Sequence, residues 1–324
     1  MSVQQPSGGY LTYKRKEKIA TLLFLLPALI FIAVFSYISF FMTFAMAFYK
    51  VDWLNPWQFV GWGNFLKVWN YDLFWKSLGN ISRYVIGSVG IGLVLGLFFA
   101  SLMEQKIRGL GFFRVAFFMP MVISAAATAW IFRLLFGKGF GVVPVALANV
   151  TGWISQWHIG AWNFGHYFFG GPFDIDLLGN PKLIMLAVVF MTMWGGIGYW
   201  ILIYTAGLRS IDPELYESAM IDGAGYWRRT IHITIPLLRH VILFLSITGI
   251  IGAFQLFSII MILPPYGAAA GGPDDATQVP ILLIYQIAFS QMDFGYASAL
   301  VCVIFLILLV ATTIQAKLGR ITQE

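Results

Sequence analysis

Residues 210–239 read SIDPELYESAMIDGAGYWRRTIHITIPLLR, a polar, helix-capped interruption between two strongly apolar runs at 183–208 and 240–263. Asp212 is a good N-cap, Pro213 fits the first helical position, and Glu214 and Glu217 lie near the positive end of the helix dipole. Leu215, Ala219 and Asp222 fall at i, i+4 and i+7, and Tyr216 and Met220 at i and i+4, so an apolar stripe forms with Glu217 at its edge. Gly223 and Gly225 can take positive φ and end that helix, and Tyr226–Ile233 can form a second helical segment before Pro236. The stretch therefore predicts helix, glycine turn, helix, a shape that fits a groove on another protein.

The chain around it is built for lipid. Of 324 residues, 59% are hydrophobic and only 10% charged, and the mean hydropathy is +0.80. That is too few charges to cover a soluble surface of this size. An apolar run of about 20 residues spans the hydrocarbon core. Ile19–Tyr49 holds no charged residue and is longer than the core of a signal peptide, so it reads as an uncleaved, tilted first helix. Further spans are expected near 78–103, 112–136, 183–208, 240–263 and 296–316, which makes six.

Orientation follows from Lys and Arg. With a cytoplasmic N-terminus, thirteen lie inside: Lys14, Arg15, Lys16, Lys18, Lys106, Arg108, Arg114, Arg209, Arg228, Arg229, Arg239, Lys317 and Arg320. Seven lie outside or near outer helix ends: Lys50, Lys67, Lys76, Arg83, Arg133, Lys138 and Lys182. Both termini and residues 210–239 are thus expected in the cytoplasm. The net charge of +6 follows this bias, and no nucleic acid is expected as a partner.

Three outside segments remain. Val51–Lys76 carries Trp53, Trp57, Trp62, Trp69, Tyr71 and Trp75, and 137–182 carries Trp153, Trp157, Trp162, Phe164, Tyr167, Phe168 and Phe169. Such rings serve an interfacial belt, the docking of a soluble partner, or stacking on a sugar face. Leu263–Asp293, with Pro264-Pro265 and Gly271-Gly272-Pro273-Asp274-Asp275, is expected to turn sharply and hold no regular structure.

Catalytic signatures are missing. There is no GxxxxGK[ST], HExxH or GxSxG, and His158, His166, His232 and His240 lie in or beside loops. The single Cys302 sits in an apolar run and offers neither a disulfide nor a thiolate metal site. The chain is expected not to be an enzyme, and to bind no metal, ATP or other cofactor. A secondary transporter would place carboxylates within its spans, but Asp and Glu all fall in loops or at span ends. Polar groups within spans are candidates for a solute path: Asn80, Ser82, Arg83 and Ser88; Arg133; Thr192, Trp194, Tyr199 and Tyr204; Thr248, Gln255 and Ser258. Of these, Asn80, Arg83, Arg133, Trp194, Tyr199 and Gln255 are the lead residues. Arg83 and Arg133 either snorkel to headgroups or face the path, where guanidinium would favour an anionic saccharide. Trp194 and Tyr199 suit either the apolar face of a pyranose or ordinary helix packing.

The string Glu217-Ser218-Ala219-Met220-Ile221-Asp222-Gly223-Ala224, followed by Ile233-Thr234-Ile235-Pro236-Leu237-Leu238, resembles the EAA loop of ABC-importer permeases, in particular the maltose and glycerol-phosphate type of sugar permease. Ser218 stands where alanine is usual. The resemblance continues in Phe24-Leu25-Leu26-Pro27-Ala28, Phe59-Val60-Gly61 with Asn64-Phe65, Leu78 with Asn80, Tyr204–Ile211, Gly271-Gly272-Pro273, Ala288-Phe289 and Gly295-Tyr296-Ala297-Ser298-Ala299. It covers most of residues 20–317, although 137–182 is longer than in many members.

The resemblance implies an all-α membrane protein of the type I importer permease fold, with six helices in 19–317 between short cytoplasmic tails at 1–18 and 318–324. It implies a bacterial inner-membrane location, a second homologous permease, two cytoplasmic ATPase subunits that use ATP and magnesium, and an extracytoplasmic solute-binding protein that delivers the substrate. In that family the loop glutamate and glycine, here Glu217 and Gly223, enter a cleft of the ATPase, and Ser218, Ala219, Asp222, Ala224 and Pro236 belong to the same motif. The substrate expected is a di- or oligosaccharide, with anionic-glycan importers, alginate among them, one candidate class. A secondary transporter, or an ABC permease for a non-sugar solute, is the alternative.

Overall fold

A computed structural model describes residues 7–51, 56–105, 109–147, 176–264 and 269–321, and the side chains of all these except 7–16, 320 and 321. Trp53, Pro265, Lys106, Arg108, His158, His166 and the aromatic residues Trp153–Phe169 lie outside the described residues.

The described chain is almost wholly helical. Helix α1 (Ser7–Ile32) passes through a π-helical stretch, Ala33–Ile38, into α2 (Ser39–Met46). A short antiparallel pair, β1 (Tyr49–Lys50) and β2 (Gln58–Phe59), leads to α3 (Gly63–Trp69) and the long α4 (Asp72–Met103). Then come α5 (Leu110–Val122), α6 (Ala125–Phe136) and α7 (Ile184–Leu208). The loop helices α8 (Pro213–Ile221), α9 (Tyr226–Arg229) and α10 (Ile235–Leu237) precede α11 (Arg239–Phe254), α12 (Ser258–Ile262), α13 (Pro280–Tyr285) and α14 (Phe294–Ile321).

Among the described residues, five segments are long and apolar enough to cross a membrane: Glu17–Met46, Asp72–Met103, Ile184–Leu208, Arg239–Ile262 and Phe294–Gly319. The expected third span is a pair instead, α5 and α6, bent by 104°. Helix α5 runs through Pro120 to Val122, Ile123 turns extended at ψ 134°, and Ser124 restarts the chain by accepting a hydrogen bond from the Ala127 N–H. Hydropathy reads through this break because both halves are apolar. If the pair counts as one crossing, the spans are six.

The chain divides into two compact units. The first holds the described residues up to Val68 with Ile287–Val303. Within it, the buried Asn64 donates from Nδ2 to the carbonyls of Ala47 and Tyr49, at 3.0 and 2.9 Å. Lys67 reaches Asp293 at 3.8 Å.

The second unit, Trp69–Gln286 with the described residues from Ile304, is built on α4 and α7. These run parallel, as the second and fourth of alternating spans must. Gly87 faces Val189, Gly92 faces Trp200, and Gly96 faces Trp200 and Tyr204. One apolar cluster joins Ile81, Phe136, Ile184 and Ile260 near the start of α4. A second joins Ala100, Met103, Tyr204, Leu238 and Leu245 near its end. Helix α11 therefore runs back against both.

One expectation fails. Residues 263–293 are not irregular throughout, since they contain a short 3₁₀ turn at Pro273–Asp275 and then α13, which continues as π-helix over Gln286–Ser290. The turn signals end by Asp275. Beyond them Pro280 occupies the first helical position after extended Val279, and Leu282 and Leu283 bury their side chains.

Candidate functional site

The loop after α7 begins where the sequence places it. Asp212 accepts from the Glu214 N–H at 3.0 Å and caps α8. The helix closes in a Schellman motif: the Gly223 N–H reaches the Met220 carbonyl at 3.1 Å, and the Ala224 N–H reaches that of Ala219 at 2.8 Å. Gly223 takes φ +75°, a conformation that costs any L side chain. Gly225 differs from expectation. It sits at φ −68° and precedes α9 as its N-cap residue. The second segment is helical from Tyr226 to Leu237, with a π-helical stretch at Thr230–Thr234, so Pro236 lies inside its last turn.

The apolar stripe of α8 splits between two faces. Tyr216 and Ala219 are half-buried, and the Tyr216 hydroxyl lies 3.0 Å from Thr234 Oγ1, tying α8 to the second segment. Leu215, Met220 and Ile221 point outward, as do Trp227 and Ile231; Ile221 is 87% exposed. Glu217, Ser218, Asp222, Gly223 and Pro236 are exposed, and Ala224 is half-buried. An apolar patch around an exposed carboxylate is the surface expected of a docking element. At the root of the loop Arg209 Nε donates to Glu104 Oε1 at 3.0 Å. Behind it a cleft of about 520 Å³ is lined by Glu104, Tyr216, Arg229 and Thr234. Sequence reasoning missed the Arg209–Glu104 and Tyr216–Thr234 pairs, because no local pattern links positions 105 and 18 residues apart.

The expected path residues are only partly brought together. Asn80 is buried, and its Nδ2 donates to the carbonyls of Asp275 and Gln278 at 2.8 and 3.0 Å. Arg83 Nη1 donates to Asn80 Oδ1 at 3.3 Å. Arg133 is held elsewhere, donating to the Ile262 carbonyl at 2.9 Å with its guanidinium 5.2 Å from the Trp130 ring. Trp194 packs edge-on against Phe132 at 5.3 Å. Tyr199 on α7 and Gln255 at the end of α11 are exposed. Around them, Cβ atoms at Gly195 and Gly252 would meet nothing within 4 Å.

Apolar spans bundled on α4 and α7, with one capped loop left exposed, define a multi-pass membrane permease. Residues 92–322 match the family of binding-protein-dependent transport system inner membrane components, and the chain belongs to that family. It is 30% identical over 312 residues to the probable ABC transporter permease protein YurN of Bacillus subtilis, across 95% of this chain and 99% of that one. The lactose transport system permease protein LacF of Rhizobium radiobacter is 31% identical over 309 residues, covering 95% and 96%. The sn-glycerol-3-phosphate transport system permease protein UgpA of Escherichia coli is 32% identical over 265 residues, covering 80% of each chain. In a solved bacterial ABC transporter involved in the import of the acidic polysaccharide alginate, one chain matches with a TM-score of 0.76 at 20% identity, across 96% of this chain and 98% of that one. The fold is therefore that of a type I importer permease.

Proposed function

We propose that the chain forms half of a translocation path for a di- or oligosaccharide, beside a second, similar permease. A binding protein outside the membrane delivers the sugar, and two separate ATPase subunits drive alternating access through Glu217–Pro236. The observation that carries this reading is the loop itself: a capped, exposed helix pair with an apolar patch around Glu217 and a left-handed Gly223 at its joint. A membrane protein with no carboxylate inside its spans draws its energy from elsewhere, and this loop is the surface suited to receive it. The saccharide assignment draws on relatives whose names carry lactose and trehalose/maltose, at 31% and 29% identity.

The path in this reading runs along the open faces of α7 and α11, where Tyr199 and Gln255 stand beside the small residues Gly195 and Gly252. An aromatic face and an amide are groups that suit a pyranose. A uronate oligomer such as alginate is the anionic form of the same proposal. The separate anchoring of Arg83 and Arg133 gives it no two-arginine clamp. The deciding experiment identifies the ligand of the partner binding protein and measures its uptake by the reconstituted complex. Uptake of a di- or oligosaccharide is expected, and a binding protein selective for an amino acid or metal would overturn the substrate class.

A further inference from the structure

The groove between α4 and α7, at the end away from the 210–239 loop, is a cleft of about 710 Å³. Its mouth holds Lys76, Arg83 and Lys182 with one carboxylate, Asp274. Lys76 also reaches Asp275 at 3.5 Å, and Arg83 is steadied by Asn80 Oδ1 at 3.3 Å. Its deeper wall is apolar, formed by Ile91, Met185, Leu186 and Val189, with Leu186 64% exposed.

The length of α4 sets the depth of these groups. Its 32 residues extend about 48 Å against a hydrocarbon core of about 30 Å. Tyr84–Met103 carries no charge, whereas Asp72–Arg83 holds Lys76, Ser77, Asn80 and Ser82, so the surplus lies at the N-terminal end. That places Arg83 at the boundary between headgroups and acyl chains, with Ile91 and Val189 below it. A lone arginine there would merely snorkel. Here cations from two segments about a hundred residues apart share one cleft with a hydrocarbon-lined floor.

We infer that this cleft binds an anionic phospholipid, its phosphate held by Arg83 and Lys182 and one acyl chain along Ile91, Leu186 and Val189. Guanidinium and ammonium groups suit a phosphate. The apolar floor fits an acyl chain and offers a saccharide no hydrogen bonds. The inference does not rest on the substrate assignment above.

Native mass spectrometry of the intact complex, purified from nanodiscs containing equal phosphatidylglycerol and phosphatidylethanolamine, tests it. The wild-type complex is expected to retain phosphatidylglycerol in preference. Occupancy should fall roughly tenfold or more in Arg83→Ala/Lys182→Ala, which removes two charge-assisted contacts. Leu186→Trp, which fills the groove and leaves both charges, should lower it likewise, whereas Arg83→Lys should keep it. If the double variant fails to assemble, Leu186→Trp carries the test. Equal retention of the two lipids, unchanged occupancy in the variants, or displacement of the lipid by a uronate oligomer would overturn the assignment.

Discussion

An alanine at Gly92 puts its Cβ 2.6 Å from Trp200 Cε2, and one at Gly96 lies 2.7 Å from Trp200 Cβ. The α4–α7 contact therefore depends on these missing side chains, and overpacking of this kind costs about 1–3 kcal/mol. Gly92→Ala is expected to lower the thermal midpoint of the purified complex, and adding Trp200→Leu should recover part of the loss. No recovery would mean that the contact does not set the cost. Asn80 has a structural duty the sequence did not show. It was legible as an intramembrane polar group, yet its partners are backbone carbonyls 195 and 198 residues away. The Asp275 carbonyl keeps the Gln278 N–H at 3.0 Å, so Asn80→Leu should cost about 1–3 kcal/mol for the buried Gln278 carbonyl it leaves without that donor, measurable in the same melt. A melt unchanged from wild type would show that carbonyl satisfied by another donor.

At the scale of elements, α8 and its glycine turn were readable because caps are local. Asp212, Pro213 and Gly223 each act within five residues, so their spacing carries the geometry. The 104° bend between α5 and α6 was hidden because hydropathy does not distinguish a straight span from two short apolar helices. Helix α13 was hidden by the turn residues that precede it. The pairing of Tyr216 with Thr234 makes α8 and the segment after it one body. Tyr216→Phe removes that link, worth about 0.5–1.5 kcal/mol, and leaves the apolar patch intact. It is expected to lower uptake per ATP hydrolysed more than it lowers hydrolysis. A proportional fall in both would contradict a transmitting role.

For the whole molecule, the five straight spans and the parallel run of α4 and α7 follow from where apolar runs begin and end. The contents of the cleft at the head of α4 do not, since they assemble from residues far apart in the chain. Topology is the expectation most open to direct test. In a Cys302→Ala background, Lys50→Cys should react with an impermeant maleimide in intact spheroplasts, and Ser218→Cys only after permeabilisation. The reverse pattern would invert the orientation drawn from the lysine and arginine count. The central claim is that work enters through Glu217–Pro236. It is tested by the ATPase activity of the complete complex in proteoliposomes with binding protein and sugar. Glu217→Ala with Gly223→Asp removes the exposed loop carboxylate and puts a charged side chain at the left-handed joint. The account predicts an assembled complex that has lost both binding-protein-stimulated hydrolysis and uptake. Wild-type hydrolysis and uptake in that variant would contradict it.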